Sequence, residues 1–143
     1  EVRDPGNLGT IIRTADAAGA SAVVLVGTCC DAYSRECVRA TMGSIFNMPL
    51  ARSTREEFLA WRAGWPGEVA ATHLSGTHDF RKVSYRAPTL LLMGGEGPGL
   101  SAELAAAATR LVKIPMAGSL DSLNLAVATA LMLYQVRGPH LRL

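Results

Sequence analysis

The sequence predicts an α/β domain, with a mostly parallel sheet and helices on both faces. Three observations carry this prediction. The runs AVVLV at 22–26 and TLLLM at 89–93 are continuously apolar and too short for helices, the mark of strands buried on both faces in a parallel sheet. Helical segments alternate with the strand candidates along the whole chain, as in βαβ units. The later strand candidates run straight into loops of glycine and small polar residues, where ligands gather at the carboxyl ends of parallel strands. A chain of 143 residues suits one domain with one core.

In order, Asp4-Pro5-Gly6-Asn7 reads as a turn into a helix, with Asn7 able to cap it and Gly19 placed where it ends. Leu8, Ile11, Ile12, Ala15 and Ala18 form its apolar face, and Arg13 can pair with Asp16 three residues on. The strand at 22–26 follows, then a helix over 34–42 ending at Gly43 and a weak strand at 48–51. Thr54 and Glu57 make a capping box for a helix that Gly64 closes. A further strand covers 68–72. The stretch 73–88 reads as loop, with Arg81, Lys82 and Arg86 as a loose basic cluster that is solvated by default. After the strand at 89–93 comes Gly94-Gly95-Glu96-Gly97-Pro98-Gly99-Leu100, and then Ser101 caps an Ala-rich helix with Glu103 in its first turn. A strand at 111–114 leads into Pro115 and Gly118, which end it and let the backbone bend. A long apolar helix follows over 123–135. Ser122 or Asn124 can cap it, yet Ser119, Asp121, Ser122 and Asn124 are more polar groups than one cap needs.

Composition narrows the function classes. Apolar residues make up 49% and charged residues 18%, which excludes a disordered chain, and a net charge of +2 is too small to indicate nucleic acid by itself. No apolar run reaches the length of a membrane span, and no signal peptide opens the chain. Cys29, Cys30 and Cys37 lack a fourth zinc ligand, since His73, His78 and His140 are scattered without ligand spacing. The odd cysteine count favours reduced, structural thiols in cytoplasm. The glycine loop at 94–99 comes late in the chain and is stiffened by Pro98, unlike a dinucleotide fingerprint. Glu96, flanked by glycines, has no helix face to lie on.

Three segments carry a resemblance to the SpoU/TrmH family of RNA ribose 2′-O-methyltransferases, in the knotted SPOUT superfamily. The stretch from Asp4 to Ala20 resembles the first motif nearly residue for residue. The loop at 94–100 resembles the second, with Gly95 where a polar or small residue is usual, and 114–124 resembles the third. Residues 35–44 are also family-like, with Arg35-Glu36 in place of a Pro-Lys pair.

The resemblance implies a C-terminal deep trefoil knot holding S-adenosylmethionine in a bent form, with S-adenosylhomocysteine as product and no metal. It places backbone contacts to that cofactor at Gly94, Ile114 and Leu123, Met116 near the adenine or ribose, and Thr72 in the same set. It implies Asn7, Arg13, Glu96, Ser122 and Asn124 as active-site residues. A guanidinium, with a pKa above about 12, rarely yields a proton. Arg13 is therefore expected to fix the ribose or a phosphate. Glu96 would orient Arg13 or take the proton, directly or through water, and Asn7, Ser122 and Asn124 would hold the nucleotide. The expected partners are rRNA or tRNA and a second copy, paired through the C-terminal and first helices, with Leu125, Ala128, Leu131 and Met132 available for the contact. No membrane is involved, and the expected location is the cytoplasm.

Residues 1–143 are thus expected to form a SpoU-type methyltransferase domain. Its first strand and any N-terminal RNA-binding domain are expected upstream of Glu1. Two other readings stand beside this one: a knotted dimer that binds cofactor or RNA without catalysis, and a flavodoxin-like nucleotide-binding domain. Retention of all five polar residues weighs against a retired enzyme.

Overall fold

The computed structural model describes residues 1–143. Six strands and five helices follow in order, with β3, β4 and β5 in succession: α1 Pro5–Ala17, β1 Val23–Val26, α2 Arg35–Ala40, β2 Leu50–Ser53, α3 Arg55–Ala63, β3 Glu68–Thr72, β4 His78–Asp79, β5 Thr89–Leu92, α4 Ala102–Ala106, β6 Arg110–Lys113 and α5 Leu125–Arg137. Every strand pair is parallel. The strands divide into two sheets, β1-β2 and β4-β6-β3-β5, where the sequence led us to expect one. No ladder joins β1 to β5. The segment at Val2 and Arg3 links the loops that follow them instead, the Cys30 N–H donating to the Val2 carbonyl at 2.8 Å and the Arg3 N–H to Glu96 Oε2 at 3.0 Å.

Both sheets share the same two helical layers, so helices do cover both faces. On one side Val69, Ala71 and Leu92 pack against Phe58 of α3, joined by Val26 and Leu104. On the other, Val112 packs with Met132 of α5 and Phe80, while Leu25 packs with Leu8 and Ile12 of α1. Successive strand residues point to opposite layers, as the pleat requires, and that is why these strands read as unbroken apolar runs.

Local chemistry sets the element ends. Thr54 and Glu57 form the expected capping box, Ser101 caps α4, and Gly19 closes α1 at a φ of 76°. The helix expected over 34–42 stops at Ala40, because Met42 and Gly43 take positive φ values of 51° and 91° that a right-handed helix excludes. β2 lies two residues later than expected. Met48 is buried in the core, and the Pro49 carbonyl accepts from Val23 before the ladder begins. β4 lies within the stretch read as loop; at two residues, paired to Val112 and Lys113, it carries no sequence period.

α1 lies tightly on α2. A Cβ at Gly9 would stand 2.5 Å from the Ala40 Cβ and 2.6 Å from the Cys37 carbonyl oxygen. α5 is two-sided. Leu125, Ala126, Thr129, Met132 and Leu133 face the core, while Val127, Leu131 and Tyr134 are exposed. Leu125 and Met132, expected to be available for pairing, are therefore spent inside the molecule. No helix is long and apolar enough to cross a membrane.

Candidate functional site

The carboxyl ends of β5, β3 and β6 lie side by side, because β3 pairs with both neighbours. Thr72 ends β3, Gly94 follows β5 and Ile114 follows β6, so topology alone gathers three of the expected cofactor positions on one rim. Met116 and Leu123 lie further along the loop after β6. Met116 is half-buried and Leu123 exposed. The Thr72 hydroxyl donates to the Met93 sulfur at 3.7 Å, fastening β3 to the start of the glycine loop.

The first motif arrives through α1. Asp4, not Asn7, is its N-cap: the Asp4 carboxylate accepts from the Asn7 N–H at 2.8 Å, and Pro5 occupies the first turn. Proline there sacrifices no hydrogen bond and presets φ. That capping frees the Asn7 amide. Its Nδ2 donates to Glu96 Oε1 at 3.1 Å, and its Oδ1 accepts from Asn124 Nδ2 at 3.1 Å. Asn124 also caps α5, its Oδ1 accepting from the Val127 N–H at 3.2 Å. Residues 89 and 117 positions apart in sequence thus meet in one hydrogen-bonded chain.

Glu96 is held further by the main chain of the first motif. Its Oε2 accepts from the Arg3 N–H at 3.0 Å and its Oε1 from the Asp4 N–H at 3.3 Å. Partial burial pushes its pKa up, but these main-chain donors and the Asn7 amide outweigh burial and hold the carboxyl down at about 2. Such a carboxylate is charged and a weak base. A Cβ at Gly95 would stand 2.0 Å from the Glu1 carbonyl oxygen, so glycine is the residue that lets the two segments close.

Two expected residues do not join the cluster. Ser122 is exposed and makes no hydrogen bond, the cap having gone to Asn124. Arg13 is exposed and pairs with neither Glu96 nor Asp16. Six helical residues after Asn7 it lies about 240° round α1 and about 9 Å along it. Within a single chain Arg13 and Glu96 make no contact. In the basic cluster, Arg81 is held by Asp79, with Nη2 donating at 2.7 Å and Nε at 3.0 Å, and that contact keeps Asp79 down at about 2.

The roles of Arg3, Asp4 and Gly95 in fastening Glu96 were missed. The signal that could have found the cap was Pro5, which marks the residue before it.

A surface cavity of about 640 Å³ lies elsewhere on the rim, at Gly27, Arg52 and the start of α3. Its lining contains no apolar side chain and none of the cluster. Burial lifts Cys37 to about 11, so this thiol stays protonated at neutral pH. No group of three or more His, Cys, Asp or Glu residues is arranged to hold a metal ion.

Comparison with known proteins matches residues 1–134 to the model of the SpoU rRNA Methylase family. The chain is 36% identical, over 96% of its own length and 55% of the relative's, to the 23S rRNA (guanosine(2553)-2′-O)-methyltransferase RlmP of Bacillus subtilis. It is 39% identical, over 92% of its length and 48% of the relative's, to the 23S rRNA (uridine(2479)-2′-O)-methyltransferase of Streptomyces viridochromogenes. The solved AdoMet-bound rRNA methyltransferase from Sinorhizobium meliloti superposes with a TM-score of 0.96 at 54% identity, covering 99% of this chain and 55% of that one. The chain spans about half the length of the curated relatives it matches.

Proposed function

The chain belongs to the SpoU rRNA Methylase family, and from that premise we propose that it transfers a methyl group from S-adenosylmethionine to a ribose 2′-hydroxyl of rRNA or tRNA. Family membership removes the flavodoxin-like alternative. The observation that carries the proposal is the linkage of Asn7, Glu96 and Asn124, one residue from each of the three motifs, on the carboxyl rim of parallel strands. We read residues 1–143 as the methyltransferase domain, its C-terminal part tied as a deep trefoil knot, working in the cytoplasm where such RNA is found.

The rim fits the cofactor. No main-chain hydrogen bond of the loops involves Gly94, Ile114 or Leu123, so their N–H and C=O groups are unspent. Gly97 and Gly99 take positive φ with open space where a Cβ would stand, leaving the loop backbone approachable. We assign Thr72, Gly94, Ile114, Met116 and Leu123 to the binding of S-adenosylmethionine. When bound, it supplies an electrophilic methyl group on a neutral leaving group, chemistry that asks for no metal.

The remaining work falls to the protein's own side chains. Glu96 is a positioning residue: its oxygens are occupied and its carboxyl is too acidic to take the hydroxyl proton. The proton therefore leaves through water. Each amide nitrogen of Asn7 and Asn124 spends one hydrogen inside the cluster and keeps a second for the nucleotide. Ser122, free at the mouth of α5, adds a hydroxyl.

Arg13 is unused within its own chain, and we propose that it serves the site of a second copy. α1 and the exposed stripe Val127, Leu131 and Tyr134 of α5 form the pairing surface. There its planar guanidinium can hold a ribose or phosphate oxygen pair.

Tritiated methyl transfer from S-adenosylmethionine to total rRNA and tRNA tests the reading. The wild-type chain incorporates label into ribose, and Arg13→Ala reduces the rate while binding S-adenosylhomocysteine normally. Normal turnover by Arg13→Ala would remove both roles given to that residue.

A further inference from the structure

β3 is flanked by β5 and β6, so its carboxyl end opens between the two loops that carry the second and third motifs. The residue that leaves this end is His73. Its main-chain N–H donates to the Val112 carbonyl at 3.0 Å, two residues before Ile114, and its carbonyl accepts from the Gly76 N–H at 3.0 Å. The turn lies close on β6: a Cβ at Gly76 would lie 2.7 Å from Val112 backbone atoms.

The ring is oriented as well. Nδ1 accepts from the Ser75 N–H at 3.1 Å and lies 2.6 Å from the Ser75 hydroxyl. A main-chain N–H can only donate, so Nδ1 keeps its lone pair, and the proton of the neutral ring sits on Nε2. Nε2 makes no hydrogen bond in the chain. A half-buried imidazole at the carboxyl end of β3, the strand flanked by β5 and β6, thus presents one oriented, unused N–H donor.

Resting on the function proposed above, we propose that His73 Nε2–H donates a hydrogen bond to the adenosine half of the cofactor, to a ribose oxygen or a ring nitrogen. The adenosine half is favoured because His73 is bonded to β6, whose loop carries Met116. An N–H donor matches the acceptors of adenosine and offers nothing to a sulfonium.

Calorimetric titration of S-adenosylhomocysteine and 5′-methylthioadenosine, which lacks the amino-acid portion, tests this. Asn at position 73 can still accept from the Ser75 N–H but has no donor at the Nε2 position, whereas Gln places an N–H near it. The expected result is that His73→Asn keeps its melting temperature and loses about fivefold in affinity for both ligands, the worth of one neutral hydrogen bond. His73→Gln should stay within about twofold of wild type. Unchanged affinity in His73→Asn, or a loss confined to S-adenosylhomocysteine, would overturn the assignment. Failure of the wild-type chain to bind either ligand would overturn the functional reading along with it.

Discussion

Asn124 has two jobs that a single substitution can separate. Its Oδ1 caps α5 and its Nδ2 holds Asn7. Asn124→Asp keeps the cap, adds a favourable negative charge at a helix N-terminus, and sets two acceptor oxygens against each other at Asn7. We expect a melting temperature near wild type and at least about a tenfold fall in methyl transfer, read by labelled-methyl incorporation. Asn124→Ala loses both functions and costs about 1 kcal/mol of stability besides. Glu96 shows itself through pH. Its carboxyl binds a proton less tightly folded than unfolded, so its stabilising effect is complete above about pH 4.5 and is lost as pH falls toward about 2. Urea unfolding between pH 5 and 2 should show this slope in wild type and a shallower one in Glu96→Gln. Asp79 titrates in the same window in both proteins and cancels. At this scale the sequence was readable in type but not in detail. Asp4 and Asn7 are both good caps, and only Pro5 distinguishes them. Nothing in the order of residues says that the freed Asn7 amide turns toward a loop 89 positions away.

Helices and strands were readable wherever one local cause decided them. The capping box at Thr54 and the two-sided burial of β3 and β5 are such cases. Elements that depend on a distant partner were not. β4 exists because two residues meet β6, and the split into two sheets follows from which strand edges lie within bonding distance. The apolar composition of α5 hid its two faces, since exposed Val127 and Leu131 look in sequence like buried Leu125 and Met132. The packing of α1 on α2 gives a test of its own. Gly9→Ala puts a methyl group against Ala40 and the Cys37 carbonyl and must push the helices apart. Denaturant unfolding should show a loss of about 1–3 kcal/mol.

For the whole molecule, the unspent guanidinium of Arg13 and the exposed apolar stripe of α5 point to a pair of chains with shared sites. Leu131→Glu should give a monomer by light scattering and lose methyl transfer with it. Arg13→Ala mixed with Asn124→Asp tests the sharing itself. A heterodimer of the two holds one complete site if Arg13 acts across the interface, so random mixing should restore about a quarter of wild-type activity. If Arg13 acts within its own chain, nothing is restored.

The central claim is that the Asn7–Glu96–Asn124 cluster serves ribose methylation. The most direct test is a map of 2′-O-methyl groups in rRNA and tRNA from cells carrying the gene intact, deleted, or as Asn124→Asp. One ribose methyl should vanish on deletion and return at most in part with Asn124→Asp. An unchanged map after deletion, or full restoration by Asn124→Asp, would contradict the account.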